Sequence, residues 1–324
     1  MESGAVSENL LPNALIIGAE KAGTSSLFYY LSQHPQIVGS YFKETYLLSQ
    51  HDRPADSWAA QANRERCLRG LADYSRMFAA QAEAPIRLEA CPAYLYDYEH
   101  VIASLKRVLG NDVHKVRIVV LLRDPVKRIG SSYRMKQRNG TENLSLEAAL
   151  DAQVVAKRRQ ANWHFSFDYV GVSTYAPALR AYQEVFDSVE VFPYDLLTAD
   201  AGEICNQLCE RWGLVPWRFN TSTKFNVSGR PKSRVHGLLA RLLYQPNMLK
   251  KWVKAAVPAA GFRKRLKAAL GTQLLEPVDD TSRDAHVELP ASVVQVLRDD
   301  LDELRERIEF DCSAWAHSLD EAQS

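Results

Sequence analysis

Apolar positions along the chain switch between a run that fills a buried strand and a helical spacing of three and four. Ala14, Leu15, Ile16 and Ile17 form an apolar run bounded by Gly18, which predicts a central parallel strand covered on both faces. From Thr24 the spacing becomes helical, with Leu27, Tyr30 and Leu31 on one face and Ser25–Ser26 near the start. Gln36–Val38 predicts a second short strand leading into Phe42-Lys43-Glu44-Thr45, and residues 50–80 read as polar surface helices. Ile86–Glu89 predicts a strand that ends before Pro92, and Glu99–Leu109 a helix with Ile102, Leu105, Val108 and Leu109 inward and Gly110 at its end. Val116–Leu122 is the strongest strand; Arg123-Asp124-Pro125 closes it and starts a helix with Pro125 in the first turn.

The alternation continues. Residues 144–160 predict a helix, Trp163–Gly171 an aromatic-rich loop, Thr174–Phe186 a helix, Val189–Phe192 a strand and Asp200–Trp212 a helix. Strands alternating with helices at this spacing predict an α/β fold, a three-layer, doubly wound and mainly parallel sheet. The last third differs in kind. Arg234–Val253 and Phe262–Leu270 read as basic amphipathic helices broken by Pro246 and Pro258. Pro290–Ile308 reads as a long charged helix burying Val293, Val294, Val296, Leu297, Leu301 and Leu304, and Ser313-Ala314-Trp315 as a tail packed back on the domain. The expected organisation is a loose leader (1–12) and a single domain (13–324). Within that domain, 13–228 form the α/β core and 229–324 a basic loop and helical C-terminal part.

The turn after the first strand carries candidate chemistry. Gly18 and Gly23 have the G-x-x-x-x-G spacing of a phosphate cradle, whose backbone N–H groups and following helix N-terminus face an anion. A nucleoside-triphosphate loop places Lys directly after the second Gly. Here Thr24 and Ser25 follow Gly23, and the lysine sits inside the loop as Lys21. A cradle with a relocated lysine suggests a nucleotide with a different transferable group.

A net charge of +1 predicts no overall attraction to nucleic acid. The balance is uneven, because no Asp or Glu occurs between Glu210 and Glu276 while Lys and Arg are frequent there. That basic stretch predicts a local positive field toward an anionic ligand, an acidic acceptor or a membrane surface. The five cysteines include no C-x-x-C pair, and Cys205 and Cys209 are one helical turn apart, which fits a buried helix face. Reduced thiols, no signal-like N-terminus and no apolar run near ~18 residues predict a soluble cytoplasmic protein of bacterial type. A Golgi location would require an N-terminal anchor preceding this sequence. The sequons at Asn139, Asn143, Asn220 and Asn226 are then chance matches.

Three stretches combine: KAGTSSL at Lys21–Leu27, Lys43-Glu44, and LLRDPVKRIGSSY at Leu121–Tyr133. Together they resemble the PAPS-dependent sulfotransferases, and the heparan-sulfate and bacterial carbohydrate-type branch more than the small-phenol branch. The resemblance extends to YDLL at Tyr194–Leu197 and to the terminal helix ending at Trp315. It implies 3′-phosphoadenosine 5′-phosphosulfate (PAPS) as co-substrate, PAP as product, no required metal, and a hydroxylated acceptor such as a saccharide, glycolipid or natural product.

The resemblance implies roles as well. Lys21, Ala22, Gly23, Thr24, Ser25 and Ser26 would hold the 5′-phosphosulfate, Lys21 neutralising charge on the bridging oxygen as the S–O bond breaks. Arg123 and Ser131 would bind the 3′-phosphate, for which the planar fork of Arg is suited. Spacing favours Ser131 over Ser132. Glu44 would be the general base for the acceptor hydroxyl, with Lys43 beside it; His34 and His51 are rival bases. Arg230, Lys232 and Arg234 lie in a late basic loop that resembles the one closing over the cofactor. Trp163, Phe167, Tyr169 and Tyr175 are candidates for the acceptor wall or for the core. The sequence departs from many relatives at Glu89-Ala90-Cys91-Pro92, where they carry Lys at the position of Ala90; this leaves the acceptor open and gives Lys43 more of the charge stabilisation.

Two alternatives stand beside this. A P-loop kinase or NTPase predicts G-K-[ST] and an acidic Mg²⁺ ligand at a strand end, whereas Arg123 ends the main strand here. A non-enzymatic module would use the basic Lys250–Lys267 region as a surface for polyanions or membrane.

Overall fold

Five strands run side by side in one direction. In the computed structural model β1 (Ala14–Gly18), β2 (Ile37–Gly39), β3 (Ile86–Ala90), β4 (Arg117–Leu122) and β5 (Ser188–Pro193) form an all-parallel sheet of order β2-β3-β1-β4-β5. The structure describes residues 10–63, 70–79, 83–222, 229–231, 275–277 and 287–323. Every residue of β1 is buried, as is β4 from Ile118 onward, as expected of strands covered by helices on both faces.

Helix α1 (Thr24–Leu31) follows β1, and three short helices, α2 (Leu47–Gln50), α3 (Trp58–Asn63) and α4 (Leu71–Arg76), lie between β2 and β3. This region, expected to be surface, contributes Tyr74 and Phe78 to the core. Helices α5 (Ala93–Tyr96) and α6 (Tyr98–Leu109) connect β3 to β4. Beyond β4 runs α7 (Pro125–Arg138), started by Pro125 and capped by Asp124, whose Oδ1 accepts from Val126 N at 2.9 Å and Lys127 N at 3.1 Å.

The helix expected over 144–160 is two helices, α8 (Leu146–Leu150) and α9 (Ala152–Gln160). Asp151 breaks it because its side chain accepts from Gln153 N and Val154 N and caps the second piece. Helix α10 (Ala176–Gln183) precedes β5; α11 (Tyr194–Ala199) and α12 (Ala201–Arg211) follow it. Cys205 and Cys209 are buried on the inner face of α12.

Toward the C-terminus, β6 (Gly229–Pro231) pairs antiparallel with β7 (Leu275–Pro277). The helices expected at Arg234–Val253 and Phe262–Leu270 lie outside the described residues. Helix α13 (Ala291–Arg305) packs on α10, and α14 (Ser313–Ala322) on α7, with Trp315 buried. Val296, expected on the buried face of α13, is exposed; Val293, Val294, Leu297, Leu301 and Leu304 form that face without it. No helix among the described residues is long and apolar enough to cross a membrane.

Asp300 ties α13 to the core by accepting from Tyr175 N at 2.8 Å and Ala176 N at 2.9 Å, at the start of α10. Burial raises its carboxyl to about 6. The folded-state value exceeds the unfolded one, so the native protein holds more protons and loses stability as pH rises from about 4 to 6. Asp300→Asn keeps an acceptor oxygen but cannot titrate. In urea unfolding the wild type is expected to lose up to about 3 kcal/mol relative to this variant across that window; parallel profiles would refute the coupling.

Candidate active site

The connections after β1 and β4 leave in opposite directions across the sheet, which opens a crevice at the carboxyl ends of these neighbouring strands. The glycine loop lines one side. Gly23 has φ +84°, a left-handed conformation that precedes the first turn of α1. A Cβ there would collide with Leu197 Cδ2 and come within 3.3 Å of Tyr194 Cε2, so α11 fits the loop only against glycine. Lys21 is also left-handed (φ +71°), a conformation that a non-glycine residue keeps only when its surroundings enforce it.

Arg123, at the end of β4, reaches across the crevice. Its Nη1 donates to the Lys21 carbonyl at 3.1 Å and its guanidinium lies 4.6 Å from the Tyr194 ring centroid. The possible ion-pair partners are engaged elsewhere: Asp124 caps α7, and buried Glu89 accepts from the hydroxyls of Thr45, Tyr74 and Tyr94. Arg123 Nε is buried with no hydrogen-bond partner among the described residues. A buried unpaired guanidinium N–H beside a glycine loop and a helix N-terminus fits an anionic ligand.

Behind the loop lies a charge cluster that the sequence did not announce. Glu20 is paired with Arg128 (3.3 Å) and Lys136 (3.9 Å) and accepts from Ser132 Oγ at 3.1 Å. Burial opposes its charge, but Lys136, Arg128 and Lys21 outweigh burial and hold its carboxyl below the ordinary range. Burial lowers Lys21, with Arg123, Arg138 and Arg128 adding to the effect against Glu20. Burial likewise lowers Lys136 to about 8. Lys21 Nζ lies 3.4 Å from Met135 Sδ. The available signal was the spacing of Arg128, Ser132 and Lys136, one stripe of α7 that reads as a solvated face but is fully buried.

That stripe also fixes the phase of α7. Ser132 is internal, bonded to Glu20 and to Lys136 Nζ (2.6 Å), whereas Ser131 sits on the half-exposed side.

From the other side, the segment after β2 closes on the loop. Lys43 Nζ donates to Ser25 Oγ at 2.5 Å. Glu44 is left-handed (φ +58°), its N–H donates to the Ala90 carbonyl at 2.8 Å, and its Oε2 accepts from Tyr46 at 3.2 Å. Glu89 anchors the same segment through Thr45. Lys21, Lys43, Glu44 and Arg123, from the segments that follow β1, β2 and β4, therefore stand around one crevice, an arrangement that can hold an anion and take a proton from a neighbouring hydroxyl.

His34 has both ring nitrogens in use, on Val215 O (2.9 Å) and from Gln36 N (3.0 Å), and packs on Trp217 and Phe219. It holds a distant segment in place. His51 lies beside Asp52, and burial lowers its pKa.

Among the aromatic candidates, Tyr169 and Tyr175 are core residues. Tyr169 donates to Glu142 (3.0 Å) and Tyr175 to the Arg123 carbonyl (2.9 Å). They support the site from behind, while Trp163 is 43% exposed and Phe167 half-buried. The backbone of Arg230 lies in β6; Lys232 and Arg234 fall outside the described residues. Among the described residues, no group of His, Cys, Asp or Glu is placed to hold a metal ion.

Gly23→Ala is expected to cost at least about 1–2 kcal/mol from the left-handed backbone alone, with the Leu197 collision added. Thermal denaturation should register a fall of about 2–4 °C per kcal/mol; an unchanged melting temperature would contradict this packing.

No family model matches the chain. A membrane-associated sulfotransferase, kil1, from Dictyostelium discoideum is 29% identical over 123 residues, covering 38% of this chain and 22% of that protein's length. The chain thus spans about a fifth of the curated relative it matches. The crystal structure of a sulfotransferase from Alicyclobacillus acidocaldarius superposes with a TM-score of 0.57 at 27% identity, covering 66% of this chain and 86% of that one.

Proposed function

We propose that the chain, similar to sulfotransferases in sequence and fold, moves a sulfuryl group from PAPS to a hydroxyl of a carbohydrate or other hydroxylated acceptor. The observation that carries this reading is the pairing of Lys21 and Arg123. The Arg123 guanidinium, at the end of β4, donates to the backbone carbonyl of Lys21 in the loop after β1 at 3.1 Å, and its Nε has no hydrogen-bond partner among the described residues.

PAPS supplies the sulfuryl group and a phosphate that leaves with the bridging oxygen. The turn from Ala22 to Ser26, with the N-terminus of α1, would bind the 5′ phosphate through backbone N–H groups. Arg123 and Ser131 would hold the 3′-phosphate, and the Arg230–Arg234 stretch would add basic contacts. Lys21, a cation inside a largely dry site, neutralises charge developing on the leaving oxygen. Glu44 takes the proton of the acceptor hydroxyl as the new O–S bond forms, and Lys43, set on Ser25, is the cation between base and loop.

The test is a thermal-shift comparison of PAP with ADP–Mg²⁺, together with transfer of labelled sulfate from PAPS to a panel of hydroxyl acceptors. PAP at a hundred times its Kd is expected to stabilise the protein by about 2.7 kcal/mol. Stabilisation by ADP–Mg²⁺ but not by PAP would overturn the proposal in favour of a nucleotide kinase or NTPase.

A further inference from the structure

Beside the crevice is a cavity of about 260 Å³, and none of the described residues assigned to PAPS lines it. Trp58, Trp163, Phe165 and Phe167 supply aromatic walls, and three arginines reach into the lining. Arg53 forms a two-pronged pair with Asp97 (2.6 and 2.9 Å), and Arg159 is paired with Asp168 through Nε at 3.0 Å. Arg158 gives Nη2 to Glu142 at 2.9 Å and lies 4.9 Å from the Trp163 ring centroid. Each guanidinium has its own carboxylate, so the lining holds little excess charge.

One donor is left over. Arg158 Nη1 is buried with no partner among the described residues, on a side chain only 8% exposed. A buried N–H in that state carries an uncompensated desolvation cost unless an acceptor arrives.

The cavity adjoins the proposed base. Tyr46, whose hydroxyl donates to Glu44, packs edge-on against Trp58 (6.2 Å) and His164 (5.8 Å), both in the lining. On the opposite side Lys136 stands 5.3 Å from the Phe167 ring and 3.9 Å from Glu20. Burial lowers His164 to about 4, so this wall is neutral at physiological pH.

We propose that this cavity receives the acceptor as a single neutral sugar ring, with one ring oxygen or hydroxyl accepting from Arg158 Nη1 and another hydroxyl presented toward Glu44; the chemistry, though not the binding, rests on the sulfotransferase reading. The volume lies below the usual range of about 300–1,000 Å³ for ligand pockets, which suits one ring, with any further units leaving past exposed Trp163 and Arg159. Matched charges favour a neutral ring, since an anionic one would sit beside Asp97 and Asp168 while each described lining arginine is already paired with a carboxylate. A phenol also stacks on indole, but its one hydroxyl cannot be both the nucleophile and the acceptor for Arg158. A sugar has hydroxyls for both and a C–H face for Trp163.

Saturation-transfer NMR on PAP-loaded protein would read binding directly. The probes are the methyl glycosides of glucose, galactose and mannose, with phenol and methyl glucuronate for comparison. At least one neutral glycoside is expected to give signals that disappear in Trp163→Ala and weaken in Arg158→Lys, which keeps the charge facing Glu142 but loses the second prong. The thermal shift with PAP should be unchanged in both variants. In turnover from labelled PAPS, KM for the glycoside should rise at least tenfold while KM for PAPS holds. Stronger signals from phenol or the glucuronate, no signal from any neutral glycoside, or glycoside signals indifferent to both substitutions would each overturn the proposal. Failure of PAP to bind counts against the donor reading instead, because glycoside signals are scored without turnover.

Discussion

Glu44→Gln is expected to bind PAP like the wild type and to transfer sulfate about 10²–10⁴-fold more slowly, the range associated with a positioned general base. The substitution preserves size, and the carboxamide oxygen can still accept from Tyr46. The backbone bond from Glu44 N to Ala90 O and the anchoring of Thr45 on Glu89 do not involve the carboxylate. The segment should therefore keep its shape, left-handed Glu44 included. Single-turnover transfer from labelled PAPS would isolate the chemical step, and PAP thermal shift would confirm an intact donor site. Turnover near the wild-type rate would remove Glu44 from the mechanism and direct attention to Lys136, whose amine burial lowers to about 8.

Lys21→Met should be nearly as damaging, with kcat reduced about 10²–10³-fold, the loss expected when one preorganised charge facing a developing anion is removed. Methionine matches the length of the lysine stem and can lie against Met135, and Glu20 retains Arg128 and Lys136, so the fold should survive. Binding of PAP should weaken less than kcat falls, since Arg123 still reaches the loop through the Lys21 carbonyl. The pH profile gives a second signature. Burial lowers the Lys21 pKa, so the protonated form is lost at lower pH than for an ordinary lysine, and the wild-type rate should decline early on the alkaline side. The residual rate of Lys21→Met should lack that decline. Equal loss in kcat and in PAP affinity would make Lys21 a binding residue only.

What the sequence disclosed was whatever local pattern determines. ALIIG and VRIVVLL can hardly be anything but covered parallel strands, and both are buried as that pattern predicts. Gly23 was legible because a phosphate-type turn needs a left-handed residue, and Asp124-Pro125 because cap and first-turn chemistry act over three residues. Tertiary context decided the remainder. Arg128, Ser132 and Lys136 look like a wet helix face until Glu20, far away in sequence, is brought beneath them. Glu89 appeared as a remnant beside a missing lysine, yet it organises three hydroxyls under the segment bearing Glu44. Tyr169 and Tyr175 could not be separated from Trp163 by composition, since only packing distinguishes a wall from the core behind it.

Glu20 gives the donor loop a resident counter-ion. Without it, Lys21, Arg128 and Lys136 would present an uncompensated positive field to an incoming polyanion, attracting it from a distance and holding the spent nucleotide with equal force. With it, long-range steering is weaker by one charge, and the remaining attraction acts mainly at contact range. Capture should then respond less to ionic strength than the number of cations implies, and departure of the product should be easier.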